Sequence, residues 1–152
     1  MVLLKGLTDR GFDFYTNFNS KKGNDLRNNP NAAMCFHWKS IRRQVRVSGK
    51  VSIVDKEEAD KYFSSRDYGS KIAAWASSQS KSMSSRNDFL KKIKEFEKKF
   101  PDKNNVPRPE YWSGWRVRPE QIEFWLEIKN RAHQRLNYIF KEGNWVKEIL
   151  YP

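Results

Sequence analysis

The hydrophobic pattern of the chain changes its period twice, and this limits the possible folds more than any other feature. Aromatic and alternating segments typical of strands occupy both ends of the sequence. The residues between them follow the three- and four-residue spacing of amphipathic helices. Because strands and helices do not alternate, a doubly wound parallel fold is excluded. We expect a mainly β, α+β fold: an antiparallel, partly open barrel with peripheral helices.

The first third of the sequence predicts strands. Residues 12–16 are aromatic and β-prone, and residues 32–38 form a second candidate strand. Two alternating stretches, 44–47 and 51–54, lie on either side of Gly49. This pattern predicts an antiparallel pair that is turned or interrupted at the glycine.

The middle of the chain predicts three helices. Asp55 is the expected cap of the first helix. Ser70 is a candidate cap for a short second helix over residues 71–76. Ser84 or Ser85 caps the third helix, whose apolar residues recur at helical spacing.

The last third returns to strands. Two segments, 114–117 and 121–126, are predicted as separate strands. A final hairpin is predicted from strands at 136–140 and 145–150, with its turn at 142–144. The chain has 152 residues and no long linker, so a single domain is expected.

Charge and composition limit the kinds of partner that the protein can bind. Thirty lysines and arginines against eighteen aspartates and glutamates give a formal net charge of +12. That charge predicts an anionic partner: a phosphate, a nucleic acid or an acidic surface. Ten Phe, six Tyr and six Trp residues argue for a packed core and against disorder. No apolar run is long enough to span a membrane, and one cysteine excludes an internal disulfide, so a cytoplasmic setting is expected.

Two polar clusters have residue types that bind phosphate. On one continuous helix, Tyr62, Arg66 and Ser70 would face the same anion, with free backbone N–H groups near Ser70. The alternative is a half-buried tyrosine and a solvated arginine. Lys21 and Lys22 lie in a predicted basic turn and could hold a phosphate as point charges, or could simply be solvated.

Two further clusters carry polar groups that could bind ligands. In an extended segment, Arg131, His133 and Arg135 would share one face and repel one another unless an anion lay between them. A solvated strand edge is the alternative. Gln79 and Ser80 end a run of small hydroxyl residues, which can hydrogen-bond a ligand or only form a loop.

In their order along the chain, these segments resemble the flavin-dependent pyridoxamine/pyridoxine 5′-phosphate oxidases. No single segment is specific, whereas their order and spacing together are. The matching segments are Val2-Leu3-Leu4-Lys5, Phe14-Tyr15-Thr16-Asn17, Ser20-Lys21-Lys22, Asn29-Pro30, Phe36-His37-Trp38, Arg43-Gln44-Val45-Arg46-Val47-Ser48-Gly49, Tyr62-Phe63-Ser64-Ser65-Arg66, Ser70-Lys71-Ile72-Ala73-Ala74-Trp75-Ala76-Ser77, Gln79-Ser80, Tyr111-Trp112, Ile122-Glu123-Phe124-Trp125 and Arg131-x-His133-x-Arg135.

The resemblance implies an FMN-binding split barrel over residues 1–152, with a C-terminal dimerisation region at about 108–152. It implies a homodimer that holds FMN in clefts at the subunit interface. The implied reaction oxidises pyridoxamine or pyridoxine 5′-phosphate to pyridoxal 5′-phosphate, with oxygen as acceptor and hydrogen peroxide as product. It implies no metal, and a nucleic-acid partner is not expected.

The resemblance also implies roles for individual residues by matching position. The residues that match FMN contacts are Tyr15, Thr16, Lys21, Lys22, Gln44, Gln79, Ser80, Trp125 and Arg135. Those that match contacts to the substrate phosphate are Lys5, Tyr62, Arg66 and Ser70. Arg131 and His133 match the catalytic residues that lie over the substrate ring.

The chain also departs from the family pattern. The family has an arginine directly before the segment that matches Met1–Lys5, and opening helices and a first barrel strand before that arginine. We therefore expect that this chain is a fragment, that its start was assigned too late, or that it is a shortened relative. Other departures are Lys21 for arginine, Asp67 for a common proline, Ser113 for glycine, Leu126-Glu127 for Gln-Gly, Ala132 for leucine, Gln134 for aspartate, and the ending at 149–152. Two alternatives stay open: a split-barrel flavoprotein with another substrate, and a non-catalytic binder of flavin, pyridoxal phosphate or nucleic acid.

Overall fold

The computed structural model describes all residues from 1 to 152 and contains seven strands and four α-helices. In chain order they are β1 (Gly6–Thr8), β2 (Gly11–Asn17), α1 (Lys21–Asn28), β3 (Asn31–Trp38), β4 (Arg43–Ile53), α2 (Lys56–Ser64), α3 (Tyr68–Ala76), α4 (Arg86–Lys99), β5 (Trp112–Leu126), β6 (Gln134–Lys141) and β7 (Asn144–Leu150). Strand neighbours follow the order β1-β2-β5-β4-β3, while β6 pairs with β5 and β7. Antiparallel strands on both sides of a helical middle are therefore confirmed.

The chain divides into two compact units. The first consists of Met1–Lys5, Asp13–Asn29 and Ile53–Trp115, and so contains all four helices. The second consists of Gly6–Phe12, Pro30–Ser52 and Arg116–Pro152. No helix has both the length and the apolar character that crossing a membrane requires.

The core of the first unit forms around α2 and α3. Phe63, Ile72, Val106 and Trp112 are its buried members, and aromatic side chains from α4 pack against them. Asp55 lies at the N-terminus of α2 as predicted, and Ser85 caps α4 by accepting the N–H of Asp88. Ser85 is thus the correct member of the predicted Ser84/Ser85 pair.

The prediction that Ser70 caps the second helix is wrong. Helix α3 begins at Tyr68, and its cap is Asp67, whose carboxylate accepts the backbone N–H of Ser70 at 2.8 Å. Aspartate is as strong a cap as serine, and here it lies one turn earlier. Helices α2 and α3 are separate, so Tyr62, Arg66 and Ser70 do not lie on one continuous helix.

The predicted basic turn at residues 20–23 is in fact the start of helix α1. Ser20, which is fully buried, accepts the backbone N–H of Gly23. A side chain at Gly23 would collide with the carbonyl group of Phe18. Close packing against the loop therefore favours glycine here. Because glycine has a low helix propensity, the sequence did not predict a helix at this position.

In the second unit, the strand predictions at Gly49 and in the last third need correction. β4 runs without a turn through Gly49, which lies opposite Ala32 of β3. Gly49 lacks a side chain where the backbone of Arg118 and Glu120 comes closest. β5 is likewise one strand rather than two.

The C-terminal hairpin is confirmed. β6 and β7 pair from Arg135–Leu150 to Lys141–Asn144. The two linking residues, Glu142 and Gly143, have φ angles of 48° and 83°. Two consecutive left-handed residues form the tight turn that matches the twist of a hairpin.

Gly49→Ala should lower the free energy of unfolding by about 1–3 kcal/mol, because the new methyl group would overlap backbone that cannot move aside. Gly69→Ala is the matched control, since its methyl group would meet only a carboxylate oxygen of Asp67 at 3.4 Å inside α3. That variant should be neutral or slightly more stable. Urea unfolding measures both, and equal stabilities would contradict this role for Gly49.

Candidate functional site

Eight of the predicted site residues line one cavity in the first unit. This first cavity has a volume of about 440 Å³. Its predicted members are Lys5, Tyr15, Thr16, Lys22, Tyr62, Arg66, Ser70 and Gln79. They come from the N-terminal segment, β2, three helices and the loops before and after α3, so only the folded chain brings them together.

A chain of hydrogen bonds orients three of these side chains. The Lys22 ammonium donates to Thr16 Oγ1 at 2.9 Å, and the Thr16 hydroxyl donates to Gln79 Oε1 at 2.9 Å. The amide N–H groups of Gln79 and two N–H groups of Lys22 remain as donors. Burial lowers the pKa of Lys22. An anion that accepts these donors would also compensate the lost hydration of the ammonium.

Arg66 has an incomplete set of partners. Burial lowers the pKa of its guanidinium, and its buried Nη1 atom has no hydrogen-bond partner. An unsatisfied buried donor costs about 1–3 kcal/mol. The guanidinium carbon lies 4.7 Å from the ring centre of Trp112 and 5.6 Å from that of Phe63. The guanidinium therefore contacts aromatic rings, and its N–H groups are not taken by a carboxylate.

An aromatic stack lies beside Arg66. The rings of Tyr15 and Tyr62 are 4.1 Å apart, and Trp112 stacks on both, at 5.4 Å and 6.1 Å. Trp112 also lines the first cavity and was missed as a site residue by sequence reasoning. Its position next to Tyr111 in a matching segment was the one available signal.

The backbone of Ser70 is not a free helix terminus. Its N–H is taken by Asp67, so the predicted phosphate binding by open N–H groups at this position is wrong. The hydrogen bonds from Ser70 lower the pKa of Asp67. Ser70 nevertheless lines the first cavity.

Lys21 and Ser80 lie outside the first cavity. Lys21 is exposed on α1 and pairs with Asp25 at 3.1 Å, because consecutive helical residues point about 100° apart. Ser80, with a φ of 69°, lines an adjoining groove of about 650 Å³. That groove shares Ser77, Gln79 and Phe89 with the first cavity.

Four other predicted residues line a second cavity, which lies in the second unit. They are Gln44, Trp125, His133 and Arg135. The second cavity measures about 750 Å³, and most of its wall is apolar. Ile149, which is 84% exposed, is part of that wall.

Arg135 is held by a buried carboxylate. Its Nε donates to Glu123 at 2.8 Å and its Nη1 to the carbonyl of Tyr151 at 3.1 Å. Arg46 lies 3.6 Å from the other oxygen of Glu123. The hydrogen bond from Arg135 lowers the pKa of Glu123 and raises that of Arg135. Glu123, missed by the sequence analysis, therefore stays ionised in a buried position.

The predicted extended face of Arg131, His133 and Arg135 is wrong. Asn130 and Arg131 have left-handed φ angles of 57° and 62° within a 3-10 turn, Lys129–Arg131. The turn leaves Arg131 exposed and outside both cavities. The ring of His133 packs 4.6 Å from that of Trp125, and its Nδ1 accepts the N–H of Ile128 at 3.3 Å. In the neutral ring the proton is therefore on Nε2.

Comparison with known proteins identifies matching family models along most of the chain. The family described as "Pyridoxamine 5'-phosphate oxidase" matches residues 1–100. The family described as "Pyridoxine 5'-phosphate oxidase C-terminal dimerisation region" matches residues 112–152.

Curated relatives match the whole chain. The pyridoxine/pyridoxamine 5′-phosphate oxidase of Pelagibacter ubique is 56% identical over 153 residues, which cover 100% of this chain and 74% of that protein. The protein of the same name from Sinorhizobium fredii is 53% identical over 154 residues, with the same coverage.

Two solved structures share the fold. PhzG from Burkholderia lata, solved with tetrahydrophenazine-1-carboxylic acid, has a TM-score of 0.92 and 27% identity over 99% of this chain and 73% of its own. A pyridoxamine 5′-phosphate oxidase-related, FMN-binding protein from Nostoc punctiforme has a TM-score of 0.75 and 14% identity over 99% of this chain and 78% of its own. These likenesses confirm the expected antiparallel split barrel with peripheral helices.

Glu123→Gln should destabilise the protein at neutral pH by about 1.5–3 kcal/mol, because it removes the negative charge that binds both Arg135 and Arg46. The pKa of Glu123 is depressed below its ordinary value of 4.5, so its contribution is present above that pH and lost as the pH falls. The difference between wild type and variant should therefore shrink below about pH 4.5. Urea unfolding at several pH values measures it.

Glu120→Gln on the same strand is the control, because its ion pair with Lys50 is long, at 4.0 Å, and exposed. This variant should change stability by less than about 1 kcal/mol. Equal effects of the two substitutions would contradict a special role for Glu123.

Proposed function

Because the chain belongs to the pyridoxamine 5′-phosphate oxidase family, we propose that it is an FMN-dependent oxidase of pyridoxamine or pyridoxine 5′-phosphate. The organic product is pyridoxal 5′-phosphate, oxygen is the electron acceptor and hydrogen peroxide is released. With the amine substrate, water enters and ammonia leaves. The observation that carries this proposal is Arg66, which lines the first cavity without an ion-pair partner and whose buried Nη1 has no hydrogen-bond partner.

The charge of the first cavity supports binding of phosphorylated ligands. Lys5, Lys22 and Arg66 line it, and no aspartate or glutamate does. Cations that lose hydration without carboxylate partners are stabilised when a phosphate enters. The residues present therefore fit both a phosphorylated substrate and a phosphorylated cofactor.

We assign the two phosphates to two groups of residues. The hydrogen-bonded Lys22, Thr16 and Gln79 are proposed to hold FMN, together with Tyr15, Ser80 and Lys21. The edge of Arg66, with Lys5, Tyr62 and Ser70, is proposed to hold the substrate phosphate. When bound, FMN supplies the hydride acceptor and the reaction with oxygen.

The second cavity supplies the other proposed contacts. Gln44, Trp125 and Arg135, which line it, are proposed to contact FMN, and His133, which also lines it, to lie over the substrate ring. Arg131 lies outside both cavities in the single chain, and its proposed place over the substrate ring rests on the family match alone. Because Nδ1 of His133 accepts a backbone N–H, Nε2 is the atom that can donate to the substrate. Glu123 holds Arg135 in position for its contact.

We also propose that the protein is a homodimer with FMN in clefts at the subunit interface. The family match at residues 112–152 is to a dimerisation region, which supports this assembly. Ile149 and Tyr151 are 84% and 93% exposed in the single chain. Large exposed apolar side chains beside an apolar cavity are typical of an interface.

A second candidate function is oxidation of a different substrate, since PhzG was solved with a tricyclic carboxylic acid. The cationic lining of the first cavity, which contains no acidic residue, favours the first proposal. Peroxide release on adding pyridoxamine 5′-phosphate to the FMN-loaded protein tests it directly. Turnover of a phosphate-free acid but not of this amine would favour the second candidate.

Arg66→Ala should raise the KM for pyridoxamine 5′-phosphate by about ten- to a hundred-fold, because a charge-assisted hydrogen bond to phosphate is lost. FMN affinity, measured by flavin fluorescence, should stay nearly unchanged. Arg86→Ala removes the same charge from the exposed start of α4 and should change neither value. An equal loss of FMN and substrate affinity in the Arg66 variant would contradict the assignment.

Ile149→Asp should weaken the dimer by placing a charge in its apolar interface. Sedimentation velocity at micromolar concentration should show a dimer for the wild type and a larger monomer fraction for the variant. Leu90→Asp is the control, because Leu90 is exposed on α4 outside the dimerisation region. A wild type that is monomeric with FMN bound would contradict this assembly.

A further inference from the structure

We propose that Trp112 is a positioning residue that holds the Arg66 guanidinium ready for phosphate and thereby sets the preference for phosphorylated substrates. This inference rests on the proposed function, which assigns the substrate phosphate to Arg66. Trp112 acts through Arg66 and Tyr62 and is given no contact with the reacting atoms.

The guanidinium of Arg66 is stabilised by an aromatic face rather than by a carboxylate. Its carbon lies 4.7 Å from the ring centre of Trp112, while Nη1 has no hydrogen-bond partner. Asp67, the nearest acid in sequence, instead binds the backbone N–H of Ser70 at 2.8 Å. Asp67 therefore acts on Arg66 only through its charge, without an ion pair, and the aromatic face is the direct contact of the guanidinium.

This difference in partner decides what Arg66 can bind. A carboxylate would take the in-plane N–H edge that also recognises phosphate. An aromatic ring interacts with the face of the guanidinium and leaves that edge free. Trp112 can therefore offset the desolvation of the cation without competing for its donors.

The ring of Trp112 is firmly placed. Trp112 is 7% exposed, its backbone N–H donates to the carbonyl of Pro109 at 3.0 Å, and its backbone carbonyl accepts from Arg108 Nη1 at 2.7 Å. Arg108 is in turn paired with Asp60 at 2.6 Å. Such anchoring at the start of β5 gives Arg66 a rigid platform.

The same ring orders a second phosphate ligand. Trp112 stacks on Tyr62 at 6.1 Å, and Tyr62 stacks on Tyr15 at 4.1 Å. One side chain therefore fixes both the guanidinium and the phenol that face the first cavity. Loss of the ring should affect the phosphate end of the substrate site more than the cofactor end, where Tyr15 loses one stacking partner and keeps the other.

The test compares Trp112→Leu and Trp112→Phe with wild type on pyridoxamine 5′-phosphate and on phosphate-free pyridoxamine. Trp112→Leu should lower the ratio of the two kcat/KM values by about tenfold, and Trp112→Phe, which keeps an aromatic face, by about two- to threefold. FMN affinity should fall by a smaller factor than the ratio, because Tyr15 loses its contact with Trp112 but keeps its stack on Tyr62. In an Arg66→Ala background, Trp112→Leu should lower the ratio by a much smaller factor, because only the route through Tyr62 remains.

Trp115→Leu is the matched control. Trp115 lies on the same strand, is 3% exposed, and packs on Phe18 at 4.9 Å rather than on Arg66. Its loss should reduce stability but leave the ratio unchanged. The proposal is overturned if Trp115→Leu lowers the ratio as much, or if Trp112→Leu lowers it by the same factor with and without Arg66. Should Trp112→Leu fail to fold, an unchanged ratio in Trp112→Phe overturns the proposal.

Binding measurements separate this proposal from the proposed function. Calorimetric titration with pyridoxal 5′-phosphate and with pyridoxal compares the same variants without turnover. If the wild type oxidises neither amine, the proposed reaction fails, and the calorimetric affinity ratio still decides the role of Trp112. Equal affinity ratios in wild type and Trp112→Leu would overturn it.

Discussion

Lys22 and Arg66 both lose hydration when the first cavity forms, and burial lowers the pKa of each. Neither forms an ion pair with a carboxylate, and no acidic residue lines the cavity. Neutral groups compensate them instead: a threonine hydroxyl for Lys22 and an indole face for Arg66. The cavity therefore combines retained positive charge with free donors, which is the environment that a phosphate ester requires.

In the second cavity, by contrast, the cation is paired with a carboxylate. Arg135 is bound to the buried carboxylate of Glu123 and to a backbone carbonyl. A charge satisfied within the protein gains less from an anion and more from fixed geometry. This contrast suits Arg66 to binding a phosphate and Arg135 to orienting a ring system, as the proposed function requires.

Local patterns predicted the elements well where the signal lies within a few residues. The C-terminal hairpin was predicted from alternation around Glu142-Gly143, and α4 from its helical spacing and serine cap. Prediction failed where a distant backbone decides the outcome. Gly49 permits close approach of Arg118 rather than a turn, and Gly23 belongs to a helix because it packs against Phe18.

The sequence by itself determined the class of fold, the family and the types of residue available for an anion. The tertiary structure alone decided which of them meet. It places Lys22 within reach of Thr16, separates Lys21 from the first cavity, turns Arg131 away from His133, and makes Trp112 the support of Arg66. The physical reason is that hydrophobic periodicity acts over a few residues, whereas desolvation and contact geometry depend on neighbours far apart in the chain.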